Sequence, residues 1–180
     1  MARPSTVYKT SIQLSDIDHG IYETLQATVA QHPSETAERL VARLLAFAIF
    51  QEEELVFTKG ISATDEPDLW VKGGDGRVLL WVEVGLPDAD RIIKASRHSA
   101  RVALLACGKT LPNWEQQHLP KLTNIANLTV ITVDPAFIAR LTSLLERSIT
   151  WSLTITEGAL YLTIGAETVE AALQMKVGSR

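Results

Sequence analysis

The chain has 180 residues, 46% hydrophobic and 21% charged, with 17 Lys+Arg against 21 Asp+Glu and a formal net charge of −4. This excludes a disordered or collagen-like chain and predicts one domain, residues 1–180, able to bury about 70% of its unfolded surface. A lone cysteine, Cys107, rules out an intramolecular disulfide and a cysteine-based zinc cluster, and fits a reducing compartment. The opening ten residues carry no apolar signal-peptide core, and the longest apolar run, Leu44 to Phe50, is too short to span a bilayer. A cytoplasmic protein is therefore expected. The acidic balance also argues against nucleic-acid binding by bulk charge, leaving a local basic patch or bound cations to supply any attraction.

Residues 5–31 alternate as a β-hairpin, with Tyr8, Ile12 and Leu14 on one parity and Ile21, Leu25, Ala27 and Val29 after the Asp16–Gly20 turn. A helix follows, with Ser34 as its expected N-cap, Glu35 and Glu38 at its positive end, and Leu40, Val41, Leu44, Leu45, Ala48 and Ile49 as its stripe. Residues 55–133 change character. Short apolar runs at 55–58, 69–71, 78–84, 102–106 and 128–133 read as strands, the last three separated by helical stretches at 88–98 and 112–123. Strand–helix–strand alternation predicts βαβ crossovers and a partly parallel sheet covered on both faces. The stretch Lys72 to Arg77 is a hairpin turn, and Asp134-Pro135 opens a last helix. Residues 148–175 return to alternation, with Ile149, Trp151, Leu153 and Ile155 on one face and a turn at Glu157-Gly158. The expected architecture is a mixed α/β core over residues 32–147, flanked by terminal hairpins that meet as a second, antiparallel sheet.

Most catalytic signatures are absent. The four histidines never stand at i, i+4, Gly73, Gly74 and Gly76 precede a strand rather than open a helix, and Cys107 ends an apolar strand as a buried thiol would. One constellation remains. Asp68, in Pro67-Asp68-Leu69-Trp70, starts one strand, and Glu83, in Trp81-Val82-Glu83-Val84, lies in the next. An unpaired carboxylate in so apolar a strand is expensive. Two carboxylates about 4 Å apart also repel by roughly 4 kcal/mol at an effective dielectric of 20. A shared proton, a divalent cation, or a nearby Arg or Lys for each acid removes that cost, and a raised pKa is expected for at least one of the pair.

The residues His32-Pro-Ser-Glu-Thr36, Glu38-Arg39, Arg43-Leu-Leu-Ala-Phe-Ala48, Phe57-Thr-Lys-Gly60, Asp65-Glu-Pro-Asp-Leu-Trp70, Trp81-Val-Glu-Val-Gly85 and Arg91-Ile-Ile-Lys94 resemble the bacterial YaeQ family, from the first hairpin to the last. The resemblance implies a variant of the PD-(D/E)XK nuclease fold, which is restriction-endonuclease-like. Asp68 then takes the motif Asp and Glu83 the motif acid, with the Val84 carbonyl as a further metal ligand and Glu38 (or Glu35) as the helical acid. Mg²⁺ or Mn²⁺ is the implied cofactor, and phosphodiester hydrolysis of nucleic acid the implied reaction. The motif also calls for Lys two residues after the acid, where this chain has Gly85. Lys94 on the next helix is the expected replacement, directed towards Glu83; the other reading is an ordinary surface lysine. Arg91, Lys94, Arg97 and Arg101 recur as a basic stripe that suits a phosphate backbone or a solvated face. A missing motif lysine equally suits an inactive binding or regulatory module. A small-nucleotide phosphodiesterase is the third reading.

Overall fold

The computed structural model describes residues 4–59 and 64–180. Met1–Arg3, and Gly60 of the Phe57-to-Gly60 match, lie outside the described residues. Among the described residues two mixed sheets and four α-helices make up the fold.

Strands β1 (Thr6–Asp16) and β2 (Ile21–Gln31) form the first hairpin, paired from Thr6↔Gln31 to Asp16↔Ile21. Helix α1 (Ala37–Ile49) follows. Its cap is Thr36, whose hydroxyl accepts from the Arg39 amide at 3.2 Å, and not Ser34, whose hydroxyl instead lies 2.7 Å from His32 Nδ1. Every residue from Leu40 to Ile49 is buried, so α1 is enclosed on all sides rather than along one stripe. The charge within it, Arg43, is 2% exposed and is held by both oxygens of Glu35 at 3.1 Å.

Strands β3 (Val56–Phe57), β4 (Leu69–Lys72) and β5 (Val78–Gly85) run antiparallel in sequence order. Helix α2 (Ala89–His98) crosses to β6 (Ser99–Ala106). Helix α3 (Leu111–His118) and a 3₁₀ turn at Leu119–Lys121 cross to β7 (Leu128–Thr132). Strands β5, β6 and β7 are mutually parallel, as the alternation predicts. The Asp88 side chain does not cap α2; the Ala89 amide donates instead to His118 Nδ1 at 3.2 Å. Asp134 does cap α4 (Pro135–Ser143), accepting from Ala136 N–H at 2.8 Å.

The C-terminal strands are β8 (Ser148–Thr156), β9 (Ala159–Ile164), β10 (Glu167–Ala172) and β11 (Gln174–Val177). One sheet is ordered β10-β9-β8-β1-β2 and the other β11-β7-β6-β5-β4-β3. Both terminal segments do build the second sheet, but β1 and β8 run parallel, from Lys9↔Ser148 to Asp16↔Ile155, so it is mixed rather than antiparallel throughout. Alternation selects a strand's buried face and carries no information on its direction. The chain also ends in the core sheet, because β11 pairs with β7.

The larger core lies between the two sheets around α1, taking Leu80, Val82 and Val84 from one face of β5. A second core packs Ile92, Trp114, Leu104 and Val130 against the opposite face of the same sheet. Each carboxylate in this sheet therefore has a distinct helix to meet, α1 on one side and α2 on the other.

Candidate active site

Because β4 is antiparallel to β5, its start lies beside the end of β5, with Leu69 opposite Val82. Asp68, just before β4, and Glu83, near the end of β5, thus occupy the same end of the sheet. They are 2% and 4% exposed, the two buried acids of this edge.

Asp68 Oδ2 accepts the Val84 amide at 2.9 Å, and its Oδ1 accepts Arg39 Nη2 at 2.6 Å. The same guanidinium donates through Nη1 to the Val84 carbonyl at 3.2 Å. Arg39 therefore bridges two of the oxygen groups that the family motif assigns to a metal. Its place also accounts for Gly85. That residue has φ +96°, and a Cβ built there would stand 3.3 Å from Arg39 Nη1. The space that a side chain at position 85 would enter is filled by a cation arriving from α1.

On the α2 side, Glu83 Oε1 accepts from Arg91 Nε at 2.7 Å and from the Trp81 indole N–H at 2.9 Å. Arg91 is itself fixed by donating to the carbonyls of Thr64 and Glu66 at 2.7 and 2.9 Å. Among the described residues Glu83 Oε2 accepts no hydrogen bond. Burial pushes the Glu83 carboxyl above its usual range; Arg91 opposes that rise, and the Asp68 charge adds to it. The rise fits the expectation for the acid pair, although desolvation outweighs mutual repulsion. Cys107, whose amide donates to the Gly85 carbonyl at 3.3 Å, is a buried thiol with its pKa pushed up to about 11 by desolvation.

The other expected residues lie farther out. Glu38, on the first turn of α1, is exposed and lines a cavity of about 390 Å³ with Arg39, Val84, Gly85, Cys107 and Lys109. Glu35 is committed to Arg43. Lys94 is exposed on α2 and pairs with no carboxylate among the described residues; the cation at Glu83 is Arg91, one turn earlier. The expected basic stripe breaks at Arg101, because α2 ends at His98. Arg101 belongs to β6, sits opposite Leu80 on the α1 side of the sheet, and pairs with Glu52 at 2.7 Å. Among the described residues no group of three or more His, Cys, Asp or Glu gathers closely enough to hold a metal ion.

Sequence reasoning left open an arginine or lysine partner for each carboxylate, and that is the arrangement found. It did not identify Arg39. The available signal was a charged residue four positions before another, Arg43, in a helix otherwise apolar enough to be enclosed.

The order of strands, the Asp68–Glu83 edge and the Gly85 turn extend over nearly the whole chain, which is the range the comparisons cover. A family profile described as YaeQ protein matches residues 1–173. YaeQ of Salmonella typhi is 38% identical over 174 residues, and that of Escherichia coli K12 is 36% identical, each alignment covering 96% of both chains. The crystal structure of YaeQ from Pseudomonas syringae has a TM-score of 0.92 at 42% identity, covering 99% of each chain. That from Xanthomonas axonopodis pv. citri has a TM-score of 0.93 at 34% identity, covering 97% of this chain and 99% of its own. With fold, length and sequence agreeing from the first hairpin to the last strands, the chain belongs to the YaeQ family.

Proposed function

We propose that this protein hydrolyses phosphodiester bonds of nucleic acid at a variant PD-(D/E)XK site in which Arg39 replaces the motif lysine. The observation that supports this reading most directly is the Arg39 guanidinium, lying against Gly85 and bound to Asp68. In the ordinary motif a side chain two residues after the acid delivers a cation to the same neighbourhood. Arg39, rather than Lys94, takes the cationic role.

The donor chemistry fits the implied cofactor. Mg²⁺ prefers hard oxygen ligands and is commonly held by one or two carboxylates, completed by water and phosphate oxygens. Asp68 and the Val84 carbonyl, on the α1 side of the sheet end, are such donors, with Glu38 at the rim, and Glu83 meets the same end from the α2 side. When bound, Mg²⁺ would supply Lewis-acid activation of water and neutralise charge at phosphorus. The chain's own groups do the rest. Trp81 and Arg91 fix one Glu83 oxygen and leave the other open. Arg39, once it exchanges the Val84 carbonyl for phosphate oxygens, offers a planar fork suited to bidentate contact.

A second reading is favoured by one observation: both carboxylates already carry arginine partners, as they would in a non-catalytic binding module that keeps the fold. The test is cleavage of labelled DNA and RNA with Mg²⁺ or Mn²⁺, alongside calorimetric titration of each metal, for wild type and Asp68→Asn. Metal-dependent cleavage lost in Asp68→Asn is the expected result. Metal binding and cleavage both absent in wild type would overturn the enzymatic reading in favour of the module.

A further inference from the structure

Helices α2 and α3 pack over β6 and β7, and α2 reaches β5 at Trp81 and Glu83. Among the described residues no helix lies on the same face of β4 and β3. Across those strands Val56 pairs with Trp70, and Trp70 pairs with Trp81. Directly paired residues project to the same face about 4.5–5.5 Å apart, so the three form one row across the sheet. Val56 is 51% exposed and both tryptophans are half-buried. Their neighbours on each strand, Phe57, Leu69 and Val82, turn to the opposite face and enter the main core. Val56 and Trp70 are therefore apolar surface outside both cores, and Trp81 borders the second core.

Cations accompany it. Lys72 Nζ lies 3.7 Å from the Trp70 ring centroid, and Arg91 Cζ lies 5.9 Å from that of Trp81. Among the described residues neither Lys72 nor Lys94 pairs with a carboxylate, and Asp75 in the β4–β5 turn is held by Arg77 at 2.5 Å. The row also joins the candidate active site, since the Trp81 indole donates to Glu83.

We infer that this open sheet face binds single-stranded nucleic acid, with bases stacked on Trp70 and Trp81 and phosphates drawn by Lys72 and Lys94. Aromatic side chains on an open sheet are a recurrent way of stacking unpaired bases, and each stack is tolerant of sequence. A duplex hides its base faces and gains nothing from such a row. Lys72 occupies the Trp70 face while no base is there and turns to a phosphate when one arrives; its long stem permits the exchange. The inference rests on the proposed function in taking nucleic acid as the partner, and it makes the strand entering at Glu83 a single one.

The test is tryptophan fluorescence during titration with a short oligothymidylate in EDTA, where no cleavage occurs. Of the four tryptophans, Trp114 and Trp151 are 4% and 2% exposed, so quenching reports Trp70 and Trp81. Quenching is expected, with affinity falling as salt rises. Trp70→Ala should weaken binding about 5- to 150-fold, the worth of one base stack. Lys72→Glu, at an exposed position, should weaken it while lowering the melting temperature by no more than about 1–4 °C, the loss of one exposed cation–π contact. A duplex of equal length should bind at least about tenfold more weakly.

Absence of quenching in the wild type, or equal binding by Trp70→Ala, overturns the inference, as does self-association of the wild type through Val56 and Trp70 measured by sedimentation. The outcomes separate from those of the proposed function. Stacking without cleavage on adding Mg²⁺ and Mn²⁺ retains the surface and removes the nuclease. Cleavage of duplex with no single-strand binding does the reverse.

Discussion

Arg39→Ala tests the site at its most informative atom. Removing one partner of a buried ion pair costs about 3–5 kcal/mol when the remaining charge is left uncompensated. Asp68 is 2% exposed, which argues for the full cost, but the Arg39 side chain is 29% exposed and Asp68 keeps the Val84 amide at 2.9 Å. Water can reach the vacated space and one hydrogen bond survives, so about 2–3 kcal/mol is the expected loss. For a chain of this length each kcal/mol moves Tm by about 2–4 °C, which gives a fall of about 4–12 °C. Chemical denaturation at neutral pH measures the free energy, and the double variant Arg39→Ala/Asp68→Asn measures the coupling. The pair should be non-additive by at least about 1 kcal/mol, because the second change removes the charge that the first exposed. The metal readout is independent. With Arg39 gone, Asp68 and the Val84 carbonyl lose their resident cation, so millimolar Mg²⁺ should raise Tm more in Arg39→Ala than in the wild type. Additive stabilities, together with identical Mg²⁺ shifts, would refute the bridging role assigned to Arg39.

Glu83→Gln should change the pH dependence of stability. Burial raises the folded-state pKa of Glu83 above its unfolded value, so its favourable contribution is complete below about pH 4.3 and is lost as pH rises through the folded value. The stability of wild type relative to Glu83→Gln should therefore fall as pH rises above about 4.3, and melting curves that show it rising would contradict the assignment. Gly85→Lys restores the ordinary motif spacing but should fail as a rescue. The position has φ +96° and its Cβ would meet Arg39, so a loss of roughly 1–2 kcal/mol is expected from the left-handed backbone alone, read as a lower urea midpoint. Glu35→Ala leaves Arg43 buried without its carboxylate and should cost about 3–5 kcal/mol, most of it recovered when Arg43→Met is added.

Much of the core sheet was legible because its strands are short, apolar and punctuated by helices. Strands β5, β6 and β7 and helices α2 and α4 fall where alternation and the Asp134-Pro135 start signal put them. What was not legible depends on distant parts of the chain. Ser34 and Thr36 are equally good caps by type; the choice falls on Thr36 because Glu35 must turn inward to Arg43. The direction of β8 against β1 follows from where α4 delivers the chain, which no side-chain pattern records. Arg101 continued an apparent helical spacing past His98 because spacing alone does not register a helix end. At the site, Asp68 and Glu83 were legible as carboxylates needing partners. The choice between a metal and arginines was not, since Arg39 lies 29 residues from Asp68 and meets it only across the sheet.

The charge balance of the site bears on how any reaction there would begin. Asp68 and Glu83 with Arg39 and Arg91 form two ion pairs, at 2.6 and 2.7 Å, and leave the site formally neutral. A divalent cation entering alone would add charge next to two guanidinium groups; about 4 Å from one of them it is repelled by roughly 8 kcal/mol at an effective dielectric of 20, which offsets much of its attraction to the carboxylates. A phosphodiester entering with the metal cancels part of that charge and gives Arg39 a new acceptor in exchange for the Val84 carbonyl. Metal and nucleic acid should then bind with positive coupling, and linkage requires each to raise the affinity of the other by the same factor. A neutral resting site also suits a protein of net charge −4, because the local field that attracts a polyanion then comes from Lys72 and Lys94 and not from the acids. Mn²⁺ titrations with and without a non-cleavable phosphorothioate oligonucleotide measure the coupling directly. Equal Mn²⁺ affinity in both would mean that the arginines remain in place when the strand binds, and that the site recognises nucleic acid without preparing it for hydrolysis.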